Sequence, residues 1–297
     1  LWLRQPRAKR SFRERRAPRI VGAFADVSRF AVSDSLRRFA AASVVALAAD
    51  AHSATPASAE CCTVYELRQY ALHPGKRDVL IELFDREFVD SQEAAGMVVH
   101  AQFRDLDDPD RFVWIRGFAD MAARDKALNA FYSGPVWQAH RNAANATMID
   151  SDNVLLLRPA VRDGGIALDR PRPPQGATEV PPTLIVATIW YGKSPLTAEF
   201  DRWFAQEVAP ALAAAGGAPI ARFENETARN TFKLPVREGE NAYVWFARFD
   251  DAAAYDAYRA RLAASERWKA LEPPLRERFA KAPDTLRLAP TARSQWR

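Results

Sequence analysis

The six residues VWIRGF at positions 113–118 come back as VWFARF at positions 244–249, and a chain that writes a strand-like run twice is constrained to fold as a repeat. The echo extends in both directions. At the same spacing of 131, Asp120 meets Asp251, Trp137 meets Trp268, Leu155 meets Leu286 and Pro159 meets Pro290. Upstream the spacing drops to 120, where Thr63 meets Thr183, Phe84 meets Phe204, Glu87 meets Glu207 and Phe103 meets Phe223. The difference of 11 residues falls in the polar stretch ENETARNTFKLPVREGEN. Insertions are tolerated in loops, so the second copy is expected to carry a longer hairpin.

Each copy reads as strand, helix, strand, strand, helix, strand. TVYELRQYAL is a strand by its aromatic and β-branched content, and Pro74 with Gly75 breaks it before a helix. Along that helix Leu80, Leu83, Phe84, Glu87 and Phe88 keep helical spacing, matched by Phe200, Trp203, Phe204, Glu207 and Val208. Ser194 and Pro195 read as the cap and first turn of the second copy's helix. MVVHAQF and RFVWIRGF then flank the turn RDLDDPD, helical segments run from about Asp120 to Met148, and DNVLLLRP closes the copy. That order is the ferredoxin-like βαββαβ unit. The fold class is therefore α+β, two tandem ferredoxin-like repeats paired within one chain.

A length of 297 residues suits two domains. The first repeat is expected over 61–160 and the second over 183–291, joined by a linker at 161–182 with five prolines and three glycines. The net charge of +5 sits in the leader, residues 1–60, which holds 11 Lys and Arg against 5 Asp and Glu; the remainder is nearly neutral at 31 against 32. A nucleic-acid partner is accordingly not expected, and no apolar run reaches the length of a membrane span. The leader has no Met, and the first is Met97. Either the start lies elsewhere or a non-Met codon serves. Within it, Arg37 and Arg38, an apolar run from Phe39 to Ala49 and an Ala57-Ser58-Ala59 site resemble a bacterial export signal. Translated upstream sequence, a disordered tail and a mitochondrial transit peptide are the alternatives. The expected compartment is the cytoplasm, with periplasmic export through residues 35–59, or the mitochondrion if the source is eukaryotic, as alternatives. The leader is expected to pack against neither repeat.

Cys61 and Cys62 are the only cysteines. Adjacent cysteines close a disulfide only with strain, so two incidental thiols are expected; a redox or metal role would need a third ligand group nearby. The acidic turn Asp105, Asp107, Asp108 and Asp110 lacks the glycine and distal glutamate of a calcium loop. Nucleotide, zinc-protease and hydrolase templates are absent. No metal and no cofactor are expected.

The informative feature is the two-sided character of the strands. Tyr65 and Leu67 share one face and Glu66, Arg68 and Tyr70 the other; Val113 and Ile115 oppose Trp114, Arg116 and Phe118. In the second strand Met97, Val99, Ala101 and Phe103 oppose Val98, His100, Gln102 and Arg104. The apolar set is expected under the helices, and the mixed set is expected to line the lumen of a barrel formed by the two sheets. Copy two would add Val186, Thr188, Trp190, Arg222, Glu224, Trp245 and Phe249. Glu66, Arg68, His100 and Arg116 should then share one concave surface, two cations over one carboxylate leaving a potential for an anionic group.

At YELRQYALHPGKRDVLIELF, GMVVHAQFRDLDDPDRFVWIRGF and FYSGPVW the chain resembles a NIPSNAP family protein, over residues 63–291 and more loosely in the second copy. The resemblance implies a dimeric α+β barrel, related to antibiotic-biosynthesis monooxygenases and haem-degrading enzymes, with an unsettled biochemical function. Eukaryotic members are associated with mitochondria and with vesicle or mitophagy interactions. No catalytic residue set transfers. The reading carried forward is a barrel binding a small anionic or aromatic ligand through Glu66, Arg68, Tyr70, His100, Gln102, Trp114, Arg116, Trp190, Arg222 and Trp245. One alternative is a barrel enzyme of monooxygenase or isomerase type, with His100 as base or haem ligand, Trp114, Arg116 and Tyr70 as positioning groups and His140 as a weaker candidate. The other is a protein-interaction module, and homo-oligomers are compatible with all three.

Overall fold

The computed structural model describes residues 61–161, 164–168 and 170–297; the leader, and every expectation placed on it, lies outside them. The first repeat runs β1 (Val64–Leu72), α1 (Arg77–Leu83), a π-helical turn (Phe84–Phe88), α2 (Val89–Ala94), β2 (Val98–Asp105), β3 (Arg111–Phe118), α3 (Met121–Ser133), α4 (Pro135–Asn145), β4 (Met148–Asp150) and β5 (Val154–Pro159). The second runs β6 (Leu184–Tyr191), α5 (Ala198–Trp203), a π-helical turn (Phe204–Val208), α6 (Ala209–Ala214), β7 (Pro219–Asn225), β8 (Ala242–Phe249), α7 (Ala252–Ala264), α8 (Glu266–Glu277) and β9 (Asp284–Pro290).

Recurrent residues turn out to be structural punctuation. Asp120 and Asp251 cap α3 and α7, their side chains accepting from Ala123 N at 2.7 Å and Ala254 N at 2.8 Å, caps worth about 1 kcal/mol each. The cap of α5 is Thr197, which accepts from Phe200 N, and not Ser194. The β-branched Thr197 is already extended at φ −106°, ψ 158°, so the helix starts three residues later than the Ser-Pro pair suggests. The three-residue strand β4, which pairs with the end of β1, carried no periodicity long enough to read.

Within each repeat the strands order as β2-β3-β1-β5 and β7-β8-β6-β9. Two seams join the repeats: β2 pairs with β9 at Phe103↔Pro290, and β5 pairs with β7 at Leu157↔Asn225. With β1 also paired to β3, the eight long strands close into an antiparallel barrel that leaves none of them with a free edge. The repetition thus exists because each sheet closes on its copy.

The barrel interior corrects the expected assignment of faces. Tyr65, Leu67, Phe103 and Val113 meet Ile185, Phe223, Val244 and Phe246 in one buried cluster drawn from both repeats, so the apolar set fills the lumen. The opposite set, with Tyr70, Trp114 and Phe118, packs with Leu80, Phe84 and Phe131 of the helices. Alternation tells which residues share a face but not which face is enclosed. A barrel of eight strands has an interior just wide enough for side chains to fill, which excludes hydrated charge. Long arginines fit instead in the helix layer, where helical side chains supply their partners.

Candidate functional site

β1 presents Glu66, Arg68 and Tyr70 toward the helices, and β3 places Arg116 directly across from Glu66 and Trp114 across from Arg68. Glu66 Oε2 accepts from Arg68 Nη1 at 2.6 Å and from Arg116 Nε at 2.8 Å. Its Oε1 accepts from Arg124 Nε of α3 at 2.7 Å. All four residues are at most 2% exposed, so three cations and one anion share a dry site with an excess of two positive charges. Burial alone would raise the Glu66 pKa, but the guanidiniums of Arg116, Arg68 and Arg124 overcome it and hold the carboxyl far below the usual carboxylate range.

Further contacts fix the geometry. Arg116 Nη1 donates to Gln92 Oε1 of α2 at 2.8 Å, and Arg68 Nε donates to Tyr70 Oη at 2.9 Å. The Trp114 ring takes Arg68 at 5.5 Å and Arg116 at 5.1 Å from its centroid, cation–π contacts of up to about 2 kcal/mol each when desolvated. Beside this cluster lies a cavity of about 190 Å³ walled by aromatic side chains including Phe84, Phe88, Trp114, Tyr132 and Trp137, with Arg68, Gln92, Asn145 and Ser151 among its polar lining residues.

The insertion of the second repeat, residues 226–241 between β7 and β8, covers this cavity and is more than a longer hairpin. Asn230 Oδ1 accepts from Arg124 Nη1 at 3.0 Å, Phe232 stacks on Tyr132 with centroids 5.6 Å apart, and Leu234 lines the cavity wall. Arg237 N anchors the far side on Val154 O at 2.8 Å. The alternating Phe232, Leu234 and Val236 in an otherwise polar stretch were the available sign that this loop packs on something. Arg124 and Gln92 were missed as well. Both sit on buried stripes, Arg124 ahead of Ala127, Leu128 and Phe131 and Gln92 after Phe88 and Val89, and a polar residue on such a stripe requires a partner.

The other expected site residues part company with this cluster. Gln102 is fully buried and shares the helix-facing side with Trp114 by register; its amide has no hydrogen-bond partner among the described residues. Trp190, Trp245 and Arg222 belong to the second repeat's own helix layer, where Trp190 stacks near Trp245 and Arg222 lies over Phe204. There the counterparts of the ion cluster are apolar: Val186 stands for Glu66 and pairs with Ala247, which stands for Arg116, while Tyr255 stands for Arg124. The first repeat holds the Glu66 ion cluster, and the second supplies the loop that packs over it. His140 lies 3.5 Å from Glu87 on the outside of α4, half-buried.

His100 is also displaced from the expected surface. A bulge between Val99 and Ala101 adds one residue to β2 and turns the imidazole toward the lumen side, 5.2 Å from the Tyr65 ring. Cys61 and Cys62, expected as free thiols, are bonded to each other. The usual bridged Cα separation argued against this, yet the pair closes with Cα atoms 3.7 Å apart. Burial, with Arg172 adding to it, pushes the His100 imidazole down to about 3 from an ordinary 6.5. The native state therefore binds fewer protons than the unfolded chain between these values. Its contribution to stability is full above pH 6.5 and is lost as pH falls toward 3, at about 1.4 kcal/mol per pH unit. Asp85, raised to about 6 by burial against Arg293, Arg104 and Arg172, opposes this slope in both proteins of a comparison. The signed change in urea midpoint from pH 7 to pH 5 should be more negative in the parent than in His100→Gln, by the equivalent of about 2 kcal/mol; the same signed change in both would refute the assignment.

The NIPSNAP family model matches residues 65–161, from β1 through β5. The first repeat is a NIPSNAP domain. No curated protein matches the chain. Among solved structures, an anthrone oxidase-like protein is similar at 17% identity and a TM-score of 0.50, covering 78% of this chain and 92% of that one. A monooxygenase-like protein from Lactobacillus acidophilus NCFM is similar at 13% identity and 0.49, covering 77% and 94%. A NIPSNAP family protein from Agrobacterium tumefaciens strain C58 gives 19% identity and 0.32, covering 34% of this chain and 88% of its own. The feature shared with the anthrone oxidase-like protein is the α+β barrel, here built by the NIPSNAP domain and its tandem copy. Among the described residues no helix is long and apolar enough to cross a membrane.

Proposed function

We propose that this chain is a small-molecule-binding barrel whose ligand, a small planar anion of about one aromatic ring, occupies the helix-side cavity of the NIPSNAP domain. The observation that carries it is the buried ion cluster with an excess of two positive charges behind an aromatic cavity whose wall includes one of its members, Arg68. A cavity of about 190 Å³ is slightly larger than one that holds benzene. The aromatic walls suit a ring, and the guanidinium suits a carboxylate through a charge-assisted hydrogen bond.

Binding is favoured over proton-transfer chemistry by the character of the wall. Its polar groups among the described residues are Arg68, Tyr70, Gln92, Trp114, Tyr132, Trp137, Asn145 and Ser151, and Glu66 behind them is too weak a base, being held ionised far into acid. An interaction module would gain support from an exposed aromatic patch, but the exposed large hydrophobics of the described residues are Val79, Leu106, Ile149, Val180 and Ile220, all aliphatic.

Benzoate and the neutral benzyl alcohol are the test pair. Benzoate at about 100 times its Kd should stabilise the fold by ~2.7 kcal/mol, read as a raised Tm, and benzyl alcohol should do much less. Arg68→Met removes one charged hydrogen bond and should weaken benzoate roughly 10- to 100-fold. Equal responses to the two compounds, or an unchanged response in Arg68→Met, would remove the anion from the proposal.

A further inference from the structure

At the other end of the same β1–β3 pair, on the lumen side, the donor atoms of Cys61, Cys62 and His100 lie within 4.8 Å of one another. Three elements bring them together. Cys61 and Cys62 enter β1, the β2 bulge rotates His100 inward, and β3 contributes Gly117 between them. A Cβ on Gly117 would come within 2.5 Å of His100 Nε2 and 2.8 Å of Cys62 Sγ, so the absence of a side chain is what leaves the donors room. His100 is fully buried, its Nδ1 has no partner among the described residues, and its Nε2 faces Cys61 Sγ at 3.7 Å. A buried imidazole with no oxygen or nitrogen partner carries a desolvation cost of about 1–3 kcal/mol that a bonded ligand would offset.

We propose that Cys61, Cys62 and His100 form a redox-gated zinc site, closed to metal while the two sulfurs are bonded and open once they are reduced. A dithiol reductant opens the bond by thiol–disulfide exchange: two electrons pass from the reductant, which leaves as its own cyclic disulfide, and each cysteine gains a proton. Zinc(II) then displaces the two thiol protons to solvent and binds both thiolates and the neutral imidazole. The two thiolate charges cancel those of the ion. A neutral unit suits a buried site flanked by the Tyr65 ring on one side and by the Arg172 cation that already acts on His100. Three protein donors leave a fourth position for water or an incoming ligand. An incoming disulfide reverses the sequence: it takes the two electrons of the thiolates and two protons from solvent, leaves as its own dithiol, and the ion departs as the sulfur–sulfur bond reforms.

The experiment uses the whole chain, reduced with dithiothreitol under anaerobic conditions, freed of the reductant and titrated with cobalt(II) as a coloured substitute for zinc. The expected result is one equivalent bound with a sulfur-to-metal charge-transfer band, displaced by zinc, and no such band in the oxidised protein. His100→Gln and Cys61→Ser should each weaken binding about tenfold or more, as loss of a ligand costs at least as much as loss of its supporting group. Cys61 is only partly buried, so its serine variant keeps the test valid if His100→Gln misfolds. Equal cobalt binding by oxidised and reduced protein would overturn the proposal by placing the metal elsewhere. So would full affinity in the histidine variant with a native circular dichroism spectrum.

Discussion

Glu66→Gln is expected to destabilise the protein by on the order of 3–5 kcal/mol, measured as the free energy of urea unfolding at pH 7. The substitution removes only one charge, but that charge is the shared counter-ion of Arg68, Arg116 and Arg124, none of which is more than 2% exposed. Three guanidiniums would remain within contact of a neutral amide in a site where water cannot screen them. The second repeat contains the control experiment, since it solves the same positions with Val186, Thr188, Ala247 and Tyr255. The fourfold variant E66V/R68T/R116A/R124Y should therefore cost less than Glu66→Gln alone, because replacing a whole buried ionic group by packed apolar residues is often neutral or stabilising. It should also lose all response to benzoate. If four changes cost more than the one, the cluster stabilises the fold in its own right and the functional argument loses its footing. Acid should act in the same direction as the single change. Glu66 is held ionised well below its unfolded pKa of 4.5, so its contribution is complete above that value and is lost as pH falls further.

Replacing residues 227–239 by a turn as short as that between β2 and β3 is expected to weaken benzoate by roughly 70-fold. The estimate takes about 100 Å² of ring surface newly exposed to water at ~25 cal/mol per Å², or ~2.5 kcal/mol. Leu234 would leave the cavity wall, Phe232 would leave Tyr132, and Arg124 would lose Asn230. Because a lid hinders entry as well as exit, stopped-flow fluorescence of the cavity tryptophans should show both rate constants rising, the dissociation rate more. An unchanged affinity would mean that the loop stabilises the helix layer without enclosing a ligand. The pairing of a charged cavity in one repeat with a lid from the other gives the tandem arrangement a purpose beyond closing the barrel.

What the sequence by itself determined is the part governed by local periodicity. The recurrence of VWIRGF, Asp120 and Trp137 in the second copy is enough to give the βαββαβ order twice, and strand alternation correctly groups Glu66 with Arg68 and Tyr65 with Leu67. Those groupings follow from the two-residue repeat of an extended chain, which needs no tertiary information. Only the tertiary structure decided which group faces inward. The reason is physical: closure of eight strands leaves a lumen that apolar side chains fill, while on the outer face Arg116 finds Gln92 and Glu66 finds Arg124, both on helices that alternation within a strand cannot see. The β2 bulge is of the same kind. One added residue at His100 reverses the parity upstream of it, moving the imidazole from the ion cluster to the cysteines. The lid is the most non-local feature of all, since Arg124 and Asn230 stand 106 residues apart, and a side-chain bond across that separation exists only once two seams have closed the barrel.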